Sequence, residues 1–66
     1  MKMLVNGESY RFDAGLTIGQ LLKQLDLQPD RVVLELNQNI LKITDNINTE
    51  LCEKDKLEII QFVGGG

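Results

Sequence analysis

The chain contains no histidine, and its single cysteine, Cys52, has no second thiol to pair with. The first absence removes the usual imidazole base and the commonest metal ligand. The second rules out a disulfide framework or a cysteine-cluster zinc site within the chain. Basic residues are in deficit, with 7 Lys+Arg against 10 Asp+Glu and a formal charge of −3. That sign argues against a nucleic-acid surface, which needs Lys and Arg to displace counterions. It fits partners that carry basic patches. Long apolar runs are missing as well. Nothing approaches the roughly 18 residues of a membrane span. The opening Met1-Lys2-Met3-Leu4-Val5 is too short in apolar residues for a secretion signal. With one unpaired thiol, these features lead us to expect a cytoplasmic protein with neither nucleic acid nor membrane among its partners.

What is present is 66 residues, 42% hydrophobic and 26% charged, the composition of one globular domain. A chain this short buries only about 60% of its unfolded surface, which leaves little room for a deep, walled cleft. Residues 2–5 read as a short strand followed by Asn6-Gly7, the strongest two-residue hairpin signal. Glu8 to Phe12 alternates as a return strand should. Thr17 with Gln20 three residues later forms a capping box at a helix start. Ile18, Leu21, Leu22 and Leu25 then fall on one helical stripe, with Gly19 a small propensity cost in the first turn. Asp26 and Gln28-Pro29 end the helix, which we place at about 18–26.

Arg31 to Asn37 alternates as a third strand, Ile40 to Ile43 is a short fourth, and Leu57 to Val63 is a last strand apolar on both faces. Such a strand belongs in the middle of a sheet. Thr44 to Lys56 reads as polar loop with at most a turn of helix, anchored by Ile47 and Leu51. The order is ββαββ, an α+β fold with a mixed four- to five-stranded sheet and one main helix packed on one face. If the first and last strands pair centrally they run parallel, with a right-handed crossover. The covered face then holds Met3, Val5, Phe12, the helix stripe, Val32, Leu34, Leu36, Leu57 and Ile59, while Leu4, Ile60 and Phe62 face outward. Residues 1–63 form the domain and Gly64-Gly65-Gly66 a flexible tail.

Four features could carry chemistry. The glycine tail has no side chains, reaches about 10 Å when extended, and ends in the carboxylate of Gly66. Gly64 and Gly65 make a ribbon thin enough to thread a channel in another protein. The carboxylate is inert to nucleophiles until activated, for instance as a mixed anhydride with AMP; composition alone equally allows a frayed end. The outward set Leu4, Ile60 and Phe62 lies beside the root of that tail and reads as a partner interface. Cys52 has no imidazole to activate it and reads as a partly buried structural residue. Glu50, Glu53, Asp55 and Glu58 match no metal loop and read as a solvated group able to complement a basic partner. No residue is assigned a catalytic or metal-binding role.

With these pieces in order, the chain resembles the β-grasp, ubiquitin-like sulfur carriers, and within them the thiamine-biosynthesis (ThiS) family. The resemblance rests on Leu4-Val5-Asn6-Gly7-Glu8, Leu16-Thr17-Ile18 before Leu21-Leu22, Val32 to Asn37, Asp55 to Ile59, and the closing Phe62-Val63-Gly64-Gly65-Gly66. It implies a carrier that is not itself an enzyme and binds no cofactor stably. An E1-like adenylyltransferase of the ThiF type would adenylate Gly66. Sulfur drawn from cysteine through a desulfurase relay would displace AMP. Thiazole synthase of the ThiG type would take the sulfur from the resulting thiocarboxylate. The same tail chemistry serves the small subunit of molybdopterin synthase. A ubiquitin-like modifier and a plain β-grasp interaction module are the further alternatives.

Overall fold

A computed structural model of the chain describes residues 1–62. Strand β1 (Lys2–Val5) turns at Asn6 and Gly7 into β2 (Glu8–Arg11). Both turn residues have positive φ, 51° and 81°, the requirement that makes Asn-Gly the favoured pair. Helix α1 (Ile18–Gln24) opens on the expected capping box. The Thr17 hydroxyl accepts from the Gln20 N–H at 3.2 Å, and the Gln20 side chain accepts from the Thr17 N–H at 2.9 Å. Strand β3 (Val32–Leu36), β4 (Asn39–Leu41), a short helix α2 (Ile43–Asn46) and β5 (Lys56–Gln61) follow.

The strands form one sheet in the order β2-β1-β5-β3-β4. The two terminal strands pair in parallel at its centre, with Leu4 opposite Lys56 and Val5 opposite Leu57. All other pairings are antiparallel. Helix α1 covers one face. Met3, Val5, Ile18, Leu21, Leu22, Val32, Leu34 and Leu57 are buried beneath it, with Phe12, Leu36 and Ile59 packed against them. The alternation of period two therefore has the expected phase on β1, β3 and β5.

Differences from the expected elements lie at their ends. Helix α1 stops at Gln24 because Asp26 turns left-handed, at φ 58°. The Leu27 N–H donates to the Leu22 carbonyl at 2.8 Å and the Asp26 N–H to the Lys23 carbonyl at 3.1 Å, a Schellman closure. Pro29 does more than end the helix: it starts a 3₁₀ turn, Pro29–Arg31, that delivers the chain into β3. Ile43, placed by the alternation in β4, instead begins α2 and is buried. Leu51 anchors the polar segment 44–56 as expected, but Ile47 is exposed and the second apolar foot is Ile43, just before the segment. The last strand ends at Gln61, not Val63, and Val63 to Gly66 lie outside the described residues.

Gly19 is more than a tolerated weakness in α1. Its N–H donates to the Ile47 carbonyl at 2.9 Å. A Cβ built there would stand 2.6 Å from Ile47 Cγ1 and 3.0 Å from the Ile47 carbonyl oxygen. Helix and crossover loop thus touch where only glycine leaves space. Cys52 is exposed, against the expectation of partial burial. Asp55 accepts the Cys52 N–H at 2.7 Å, and this polar turn holds residue 52 at the surface.

Candidate functional site: the uncovered sheet face at the end of the central strand

Alternation that sends Leu57 and Ile59 into the core sends Lys56, Glu58, Ile60 and Phe62 to the opposite face. On β3 the same rule turns Val33 and Glu35 outward, and on β4 it turns Ile40 outward. Register then fixes the neighbours. Val33 lies opposite Ile60, Glu35 lies opposite Glu58, and Ile40 lies opposite Glu35. Phe62 continues the ladder beyond β5, its N–H donating to the Arg31 carbonyl at 2.8 Å. Ile40, Ile60 and Phe62 are 74%, 57% and 56% exposed. Read along β5 toward its C-terminal end, the face passes from Lys56 through the paired carboxylates to an apolar patch, and Phe62 precedes Val63-Gly64-Gly65-Gly66 in sequence.

Of the three residues expected to form the interface, Ile60 and Phe62 come together and Leu4 does not. Leu4 faces the same way but is half-buried and opposite Lys56. Because β1 runs parallel to β5, this is the start of β5. Ile60 lies four residues further along, about 13 Å at the usual rise. Val33 and Ile40 take its place beside Ile60. Neither was read from the sequence. Finding them requires the β3–β5 and β3–β4 registers, since Ile40 sits in a three-residue strand whose facing no alternation could set. The tail residues Gly64, Gly65 and Gly66 lie outside the described residues.

The acidic group is in part structural. Glu53 accepts the Lys2 N–H at 3.0 Å, tying the loop to β1. Asp55 accepts from the Asn37 side chain at 3.1 Å as well as from Cys52, and the Asn37 side-chain oxygen accepts the Lys56 N–H at 3.0 Å. Among the described residues no group of three or more His, Cys, Asp or Glu is placed to hold a metal ion. Nor is any helix among them long and apolar enough to cross a membrane. At the other edge of the sheet, the Tyr10 hydroxyl donates to Glu8 at 3.0 Å. That hydrogen bond, and then the carboxylate's charge, hold the phenol above its usual pKa of 10.0.

Two central parallel strands inside an otherwise antiparallel five-stranded sheet, with one main helix across a single face, define a β-grasp, ubiquitin-like protein. A ubiquitin-like protein of Caldiarchaeum subterraneum shares this fold at a TM-score of 0.50 and 19% identity, over 97% of this chain and 96% of that one. The chain belongs to the ThiS family, whose model matches residues 3–66. It is similar over 100% of both chains to the crystal structure of the thiamine biosynthesis protein (ThiS) of Geobacter metallireducens, with a TM-score of 0.80 and 33% identity. It is 38% identical to the sulfur carrier protein ThiS of Bacillus subtilis, over 94% of this chain and 96% of the relative. It is also 36% identical over its whole length to a thiazole synthase of Paramagnetospirillum magneticum, but spans only 20% of that protein.

Proposed function

We propose that this chain is a protein sulfur carrier in thiamine biosynthesis and that its reactive group is the carboxylate of Gly66. The observation that carries the reading is the junction of two features. A sheet face with exposed Ile60 and Phe62 closes the central strand, and the sequence then continues as Val63-Gly64-Gly65-Gly66. An apolar face can grip a partner while glycines without side chains enter its channel. Family membership and the name of the Bacillus subtilis relative support the same chemistry.

In this mechanism a Gly66 carboxylate oxygen attacks the α-phosphate of ATP, held by an E1-like adenylyltransferase, and pyrophosphate leaves. The acyl-adenylate makes the carbonyl carbon electrophilic. The terminal sulfur of a persulfide, supplied through a cysteine desulfurase, displaces AMP. A second thiol cleaves the resulting S–S bond and leaves a thiocarboxylate on Gly66. Thiazole synthase is the recipient, a role in keeping with the name of the Paramagnetospirillum magneticum relative. The carrier is then a co-substrate rather than an enzyme, and the groups that bind ATP and relay sulfur belong to its partners.

The test is intact-mass spectrometry of the chain after incubation with the adenylyltransferase, ATP and a sulfur donor. The expected product has one oxygen replaced by sulfur at Gly66, by way of an AMP adduct. A chain that acquires neither adduct, with a partner shown to be active on another carrier, refutes the reading.

A further inference from the structure

The carboxylates of Glu35 and Glu58 stand directly opposite each other on adjacent strands of the uncovered face. Side chains so placed have Cβ atoms about 4.5–5.5 Å apart, and like charges there destabilise a sheet. Three acids, Glu8, Glu53 and Asp55, each accept a hydrogen bond that ties them into the fold. Glu35 and Glu58 accept none from a side chain among the described residues. Lys56 is the next outward residue on β5, on the side away from the apolar patch. Neither carboxylate is therefore tied by a side-chain hydrogen bond into the fold, and both remain open to a partner on this face. It also adjoins the exposed apolar residues, with Ile40 opposite Glu35 and the Val33–Ile60 pair one step along the sheet.

We propose that Glu35 and Glu58 together receive one cationic side chain, an arginine or a lysine, of the enzyme that adenylates Gly66, while Val33, Ile40, Ile60 and Phe62 meet its apolar surface. The proposal rests on the sulfur-carrier reading and names what its partner must present. A guanidinium between two carboxylates forms charge-assisted hydrogen bonds and removes their mutual repulsion. Glu58 lies four residues before Phe62, about 13 Å away. A partner that engages the tail at Phe62 with a footprint of about 800 Å² covers that distance. A second copy of this chain fits poorly. A self-complementary twofold contact through this face would bring four carboxylates together.

The experiment is ATP–pyrophosphate exchange by the E1-like adenylyltransferase, with the full chain as the varied substrate at low and high salt. Thermal unfolding is measured on the same samples. E35Q, E58Q, the double variant and E58K are compared with wild type, and E50Q serves as the distant control. Expected for the double variant is a KM at least about fivefold higher at low salt, with kcat little changed and the gap narrowing at high salt. Its melting temperature should be equal or higher, because repulsion has been removed. E58K should raise KM further. A double variant within twofold of wild type at low salt overturns the proposal. So does a higher KM that ignores salt and accompanies a lower melting temperature, which marks a structural role. A wild-type dimer that I60D dissolves assigns the face to a second copy and also overturns it. If wild type itself supports no exchange, the carrier reading fails first and takes this proposal with it, an outcome distinct from the others.

Discussion

Truncating Phe62 separates what the ring does for the fold from what it does for a partner. Full burial of a phenylalanine side chain is worth about 1.5–3 kcal/mol. The fold covers a little under half of this one, since it remains 56% exposed. Phe62→Ala should then cost the isolated domain about 0.7–1.3 kcal/mol. The remaining surface is available to a docked partner and is worth about 0.8–1.7 kcal/mol. At 1.4 kcal/mol per factor of ten, that is a roughly four- to sixteenfold weaker complex, on the order of tenfold. Two assays read the two halves: urea unfolding of the free chain, and the KM for the chain in adenylation. The reasoning is refuted if Phe62→Ala lowers stability as estimated yet leaves that KM unchanged. The exposed half of the ring would then be ordinary surface, as single exposed apolar residues often are.

Gly19→Ala should destabilise the domain by about 1 kcal/mol in urea unfolding, although alanine normally improves a helix by about that much. The new methyl would meet the Ile47 carbonyl oxygen at 3.0 Å, and a gain in stability would show that the loop yields freely. Asp26→Gly should stabilise by about 0.5–1 kcal/mol, because residue 26 sits at φ 58° where glycine pays no steric cost; a loss would mean that the carboxylate contributes more than the backbone strain. The single tyrosine makes ultraviolet titration unambiguous: Tyr10 should ionise above 10.0, and Glu8→Gln should bring it down. Its pKa is raised in the folded state, so the contribution to stability is present below the unfolded value and disappears as pH rises through the folded one. An unchanged titration in Glu8→Gln would remove Glu8 as the cause.

Local signals carried the fold far. Asn6-Gly7 dictates its own turn because both positions need positive φ. Thr17 and Gln20 close a capping box that involves no other part of the chain. The two-residue periods of β1, β3 and β5 assign faces without knowledge of neighbours. The central place of β5 followed from its having apolar residues on both sides. Ile43 reads as a strand residue by alternation but is helical, since its side chain is needed in the core beneath a segment that is otherwise polar. Gly19 reads as a weak helix residue until Ile47, far along the chain, is seen against it.

The site divides in the same way. Sequence alone determined the glycine tail, the outward phase of Ile60 and Phe62, and the net acidity of the surface, because composition and period two are properties of a strand by itself. Tertiary structure alone decided that Val33 and Ile40 join that patch, that Leu4 lies about 13 Å from it along the strand direction, and that Glu35 faces Glu58. Those facts depend on strand order and register. Both come from how separate segments pack against one helix, and no segment carries that information within itself.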